Sequence, residues 1–322
     1  MKHLSNMTAA DDAFRQMTGR LFKPFKFTTW LMLGLCAWLA QIGTEMGAYV
    51  NEIAKFIFRQ YIKDDQAAIQ AAVSKIEQGN IAAIGEIIDF DGLLAINPAW
   101  IVLGIVAVSL LALLLLWIRC QASLVFIDNL IHKSTRIMPS FRENLALGNS
   151  IFLWKILYYA INPVIVLGGA ALPLLLTIGW IRQCLAESTL CAPDATAITG
   201  LILSFTLLLI LGITMKLLLF YFEQFVIPIV FIRRQNAFRA TATWARLFKY
   251  FTWTFIKYAI LYLLCAAVAL LSIICLGLAT CCIAILLMII PYIGILVILP
   301  IPVFFQLFSL ELLNQMYKHK IF

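Results

Sequence analysis

Residues 258–310, YAILYLLCAAVALLSIICLGLATCCIAILLMIIPYIGILVILPIPVFFQLFSL, run for 53 positions without an Asp, Glu, Lys, Arg or His. A membrane helix needs about 20 predominantly apolar residues to cross about 30 Å of hydrocarbon. The stretch is therefore too long for one span and right for two, joined by a turn near residues 277–282. Four further uncharged runs lie upstream, at 27–44, 92–118, 156–181 and 195–215. Together they predict six spans, an all-α polytopic membrane protein forming one integral membrane domain over 1–322.

Composition agrees. Of 322 residues, 63% are hydrophobic and 12% charged, with a mean hydropathy of +0.96, where soluble domains carry roughly 25% charged residues. Too few charges exist to coat a soluble sphere of this size, and the same count excludes a disordered chain and a disulfide-rich scaffold. The net charge of +8 does not call for nucleic acid, because basic residues gather on the cytoplasmic side of membrane proteins. With both termini inside, 18 of the 24 Lys and Arg fall in inner segments and five in outer ones, with Lys216 inside a span. The acidic and basic residues among the first 24, Asp11 and Asp12 included, do not form a cleavable signal peptide, so the first span is expected to stay in the mature protein.

An internal repeat marks each odd-numbered span. Ala13-Phe14-Arg15, Ser140-Phe141-Arg142 and Ala237-Phe238-Arg239 correspond, and Arg20-Leu21-Phe22-Lys23 matches Arg246-Leu247-Phe248-Lys249. Arg119 and Lys216 each stand 22 residues before the next such Phe, at 141 and 238. The chain reads as three units, 1–131, 132–232 and 233–322, each a basic amphipathic helix followed by a hairpin of two spans, against the plainer alternative that Phe-Arg recurs by chance among 23 Phe.

The amphipathic segments supply interfacial anchors: Phe14, Arg15 and Arg20; Phe141 and Arg142; Phe238, Arg239 and Arg246. Bulky apolar groups would enter the acyl boundary while guanidinium groups face phosphates of the lipid bilayer. Phe14, Met17 and Leu21 are placed on one face, Trp244 suits the interface, and Thr8 to Asp11 and Ser140 to Glu143 fit the capping pattern of a helix start. Ordinary positive-inside anchoring is preferred to a specific anionic-lipid or partner site. Segment 46–97 is expected to form a small outer helical insertion that packs over the bundle.

The inventory of chemical groups is thin. His3, His132 and His319 stand far apart, at no metal-ligand spacing, and no nucleotide-binding or nucleophile-elbow motif occurs. No catalytic residue, metal or cofactor is expected, so an ATPase, if one drives the process, would be a partner chain.

Ionisable groups within spans are the functional candidates. Lys216 and Glu223 lie seven residues apart on one helix face, followed by Gln224 and Pro228. The preferred alternative has Lys216 and Arg119 near the inner boundary with their side chains reaching for headgroups. The helices then continue as apolar stretches, 124–131 and 217–232, which pack against the protein itself or offer a docking face. Prolines 163, 173, 228, 291, 300 and 302 free backbone carbonyls that could line a pathway, with Asn162, Glu223, Gln224 and Gln306 as its polar groups. Cys36, Cys120, Cys265 and Cys275 read as packing residues, and Cys184 and Cys191, in the second outer connection, are placed for a disulfide if that side is oxidising.

Three hairpins opened by basic amphipathic helices around Phe14, Phe141 and Phe238 resemble a group of uncharacterised bacterial membrane proteins. That group is related to the membrane domain fused to glycerophosphodiester phosphodiesterases. The resemblance implies a bacterial membrane, the inner one with both termini cytoplasmic by the split of basic residues, but carries over no catalytic residue. The expectation is a non-enzymatic accessory or scaffold subunit with a membrane-protein or ATPase partner. The alternative is a transporter or channel near the fourth and sixth spans.

Overall fold

Uncharged runs become helices because a backbone in hydrocarbon must satisfy its own hydrogen bonds. In the computed structural model, residues 5–23, 25–42, 98–133, 136–180, 194–280 and 290–319 are described, and no strand occurs among them. The elements are α1 (Asn6–Leu21), α2 (Phe27–Gln41), α3 (Pro98–His132), α4 (Ile137–Leu174, continued by a 3-10 turn Leu175–Thr177), α5 (Ala195–Tyr221), a π-turn (Phe222–Val226), α6 (Ile227–Arg233), α7 (Ala237–Tyr250), α8 (Thr252–Ala279), α9 (Pro291–Ile298) and α10 (Pro300–His319). Four of the helical stretches, Val106–His132, Ile137–Trp180, Ala195–Arg233 and Thr252–Ala279, are long and apolar enough to cross a membrane. A fifth is added if Tyr292–Ile298 and Pro300–Lys318, bent by 59°, count as one. The protein is thus an all-helical chain with the apolar helices of a membrane protein; α2, with 15 residues, is apolar but shorter.

The chain forms two compact units. The first comprises Met1–Ile42, Leu115–Ile156 and Leu218–Phe322, and the second Gly43–Leu114 and Leu157–Leu217. In the second, helices α4 and α5 meet through small residues, as membrane helices do when van der Waals packing replaces the hydrophobic effect. Ser204 donates to the Ala170 carbonyl, Tyr158 donates to the Met215 carbonyl at 2.7 Å, and a Cβ on Gly200 would stand 2.9 Å from the Pro173 oxygen. Around this seam large apolar side chains point outward, Leu172 at 71% and Ile202 at 63% exposure.

In the first unit α1 packs on α10 and α2 on α9. The α1 stripe that is buried is Ala9, Ala13, Met17 and Leu21, with Phe14 54% exposed. Met17 and Leu21, expected beside Phe14 on a lipid-facing stripe, are therefore buried in the protein and Phe14 is not: two alanines on the buried stripe let the α10 backbone come near, and a Phe there would hold it off. In α7 the same choice buries Ala237, Ala240, Thr243, Trp244 and Leu247 and leaves Phe238 exposed, so Trp244 is a core residue instead of an interfacial one. Helix starts differ as well. α1 begins at Asn6 and α4 at Ile137, so Thr8 and Ser140 lie within their first turns; Ser140 is buried, accepting at its carbonyl from Asn144.

The apolar continuations of α3 and α5 are mostly covered by the protein, although Ile131, Leu217 and Ile232 are exposed. Leu124, Val125, Phe126, Ile127 and Leu130 are buried, as are Phe222 and the run from Phe225 to Phe231. Each continuation ends on a left-handed residue, Lys133 at φ 51° and Arg234 at φ 50°. Tyr292 donates to the Leu31 carbonyl at 2.9 Å, tying α9 to α2, while Trp30 donates to the Leu21 carbonyl and closes the end of α1.

Candidate functional site

Pro228 has no N–H to give the carbonyl four residues before it, and its ring crowds that carbonyl. Immediately upstream the helix widens into the π-turn Phe222–Val226, a break in register of a kind that often accompanies function. Glu223 and Gln224 fall inside this turn. Glu223 is the only carboxylate between Asp194 and Glu311, and its Oε1 accepts from two cations, Arg119 Nη2 and Lys155 Nζ, each at 2.7 Å.

The three groups differ in access. Lys155 has 1% of its side chain exposed, Arg119 12% and Glu223 31%. A cation as buried as Lys155 needs a partner, because an unpaired charge away from water costs several kcal/mol. The cluster holds two positive charges and one negative, so it keeps a formal excess of +1, with buried Cys120 beside Arg119 in sequence.

Aromatic packing fixes the turn that carries the carboxylate. Trp154, next to Lys155, stacks on Phe222, next to Glu223, with ring centroids 3.6 Å apart and planes 10° from parallel. Tyr258 donates its hydroxyl to Gln224 Oε1 at 3.2 Å, and Tyr221 donates to the Phe255 carbonyl at 3.1 Å. Phe225 meets Tyr258 and Phe255 edge-on at 4.7 and 4.9 Å. One pair of stacked rings and two tyrosine hydroxyls thus key the π-turn to α4 and α8.

The expected polar site is only partly assembled. Glu223 and Gln224 are together, but the partner of Glu223 is not Lys216, which is exposed on α5 in the second unit. Nor does Arg119 reach outward as expected; its guanidinium is spent on Glu223 because that is the carboxylate within reach. Asn162 is half-buried on α4, and Gln306 is half-buried on α10 with its Nε2 buried and without a partner among the described residues. Among the anchors, Arg15 pairs with Asp11 at 2.9 Å, Arg20 is half-buried and donates to the Leu130 carbonyl, and Phe141 meets Trp117 edge-on at 5.9 Å. Arg142, Arg239 and Arg246 are exposed. Cys184, Cys191 and the insertion 46–97 lie outside the described residues. Cys36, Cys120, Cys265 and Cys275 are free thiols, the first two buried and Cys275 exposed.

Lys155 is the residue that reading the sequence missed, since it was counted among basic residues of an inner segment. The available signal was sign and rank: Arg119 closes one uncharged run, Lys155 precedes the next, and Glu223 is the solitary acid near the end of the fourth. Among the described residues no group of three or more His, Cys, Asp and Glu could hold a metal ion.

No curated protein and no solved structure matches the chain. Residues 4–313 match a family of unknown function, DUF7544, and the chain belongs to that family.

Proposed function

We propose that this protein is a six-span subunit of the bacterial inner membrane, with both termini cytoplasmic, that acts as an accessory or scaffold for a membrane process and catalyses no reaction itself. In this reading α2 is the first span and the bent α9–α10 pair the last, and the spans form three repeated hairpins akin to the membrane domains fused to glycerophosphodiester phosphodiesterases. The observation that carries it is the double pairing of Glu223 by Arg119 and Lys155. A translocating carboxylate has to exchange partners, whereas this one is gripped by two cations on a turn clamped by the Trp154–Phe222 stack. Such a cluster suits a rigid support better than a moving gate.

Reconstitution tests the reading. Purified protein in liposomes should pass no ion or small solute above empty liposomes, and a stoichiometric membrane-protein or ATPase partner should accompany it from native membranes in mild detergent. Flux by the isolated protein would overturn the proposal. The second reading, a transporter or channel, is favoured by the 59° break before α10 and by Gln306 Nε2 on that helix, which has no partner among the described residues. It requires that flux, and its loss in Gln306→Leu.

A further inference from the structure

The end of α1, the start of α2 and the end of α3 line an open cavity of about 550 Å³ within the first unit. Its volume falls in the ordinary range for small-ligand sites, about 300–1,000 Å³. Four cations line it, Arg20, Lys23, Lys26 and Lys133, together with the amides Gln16 and Asn129; among the described lining residues there is no carboxylate.

Four like charges brought around one space repel one another unless something negative sits between them. Asp12 is not among the lining residues, and three other acids on the adjoining helices are engaged elsewhere. Asp11 holds Arg15, Asp128 holds His132 at 2.6 Å, and Glu311 accepts from Gln16. Lys23, Lys26 and Lys133 form no ion pair with the described residues.

Arg20 is fixed in place. Its guanidinium donates to the Leu130 carbonyl and to Gln16 Oε1, two neutral acceptors, so its charge is oriented without being cancelled. Burial pulls its pKa below that of an ordinary arginine. A second feature points the same way. α2 opens at this cavity, its N-cap Lys26 makes no side-chain capping bond, and Thr29 of its first turn lines the wall. The first-turn amides of a helix have no acceptor within it and carry the positive end of its dipole, an arrangement that receives phosphate.

We propose that this cavity binds a phosphate-bearing organic anion, with Arg20 as the fixed donor and Lys23, Lys26 and Lys133 closing round its charge. The volume leaves room for an organic group beside the phosphate. A phospholipid headgroup and a soluble phosphate ester share this chemistry. The site stands independently of the accessory reading, since neither a scaffold nor a transporter requires it.

The test uses the full-length protein in two arms. In the first, native mass spectrometry follows lipids retained from micelles of mixed phosphatidylcholine and phosphatidic acid. In the second, glycerol 3-phosphate is titrated into the protein held in phosphatidylcholine nanodiscs. Retention of phosphatidic acid identifies a lipid headgroup, and heat from glycerol 3-phosphate alone identifies a soluble ester. In either arm Lys23→Gln/Lys26→Gln, exposed positions whose change leaves packing intact, should weaken binding about 30-fold, from about tenfold per 1.4 kcal/mol and the usual contribution of a lysine near an anionic headgroup. Lys249→Gln/Lys257→Gln removes the same charge from exposed positions on α7 and α8 and should leave binding unchanged. The proposal fails if neither probe binds, or if both double variants weaken binding equally, which would mean diffuse surface attraction.

Discussion

Lys155 Nζ stands 2.7 Å from Glu223 Oε1, 68 residues away in the chain, with 1% of the lysine side chain exposed. Glu223→Gln would leave Lys155 and Arg119 facing a neutral amide. Breaking a buried pair from one side costs about 3–5 kcal/mol. The 31% exposure of Glu223 lets the surroundings offset part of this, so about 3 kcal/mol is expected, read as a lower melting temperature in detergent. Lys155→Met should cost less, because Glu223 keeps Arg119, and adding it to Glu223→Gln should recover part of the loss. Equal melting of Glu223→Gln and the parent would remove the cluster from any structural role.

Trp154 is expected to be as important as the charges it flanks. Trp154→Ala deletes the ring stacked on Phe222 and should cost about 3–5 kcal/mol, whereas Trp154→Phe keeps a stacking ring and should retain more than half of that. Thermal unfolding monitored by helical circular dichroism would show the order.

Two glycines are set by their neighbours. A Cβ at Gly148 would enter the side chain of Gln121, which is 1% exposed and donates to the Leu145 carbonyl and Asn149 Oδ1. A Cβ at Gly200 would meet the backbone oxygen of Pro173. Either change to Ala should destabilise the protein by about 1–3 kcal/mol, with Gly200→Ala the harsher of the two, since a side chain can turn aside more readily than a backbone. Comparable melting of Gly200→Ala and the parent would show that α4 and α5 can part without cost.

The two left-handed helix ends should respond differently to glycine. Lys133→Gly relieves a positive φ and is expected to stabilise by about 0.5–1 kcal/mol. Arg234→Gly relieves the same strain but loses a 2.6 Å hydrogen bond to Asn144 and a guanidinium 5.2 Å over Phe231, so no net gain is expected. Identical shifts in melting temperature would contradict this account of Arg234.

The long helices were legible because charge-free runs of 21 to 53 residues leave the backbone few alternatives, and α3, α4, α5 and α8 follow. Their apolar continuations were legible too, from the residues past Arg119 and Lys216. The buried faces of α1 and α7 were not. Hydrophobic periodicity ranks Phe14 and Phe238 above Ala9 and Ala240, but where two helices approach closely the small residue is the one that fits, and the sequence does not announce how close they come. The partners of Glu223 were hidden for a related reason. Arg119 and Lys155 lie 104 and 68 residues away, and only the packing of α3 and α4 beside the π-turn brings them to one oxygen.

α1 rests on α10 and α2 on α9, so helices made early find their partners among those made much later. Throughout synthesis the stripe of Ala9, Ala13, Met17 and Leu21 waits uncovered, and so does the Leu31 carbonyl that Tyr292 will claim. Folding of this unit therefore includes a docking step that joins segments more than 200 residues apart. A nascent chain halted before α9 would hold a finished α4–α5 seam and an early helix pair with nowhere to settle, a state that quality-control proteases could read from those bare alanines.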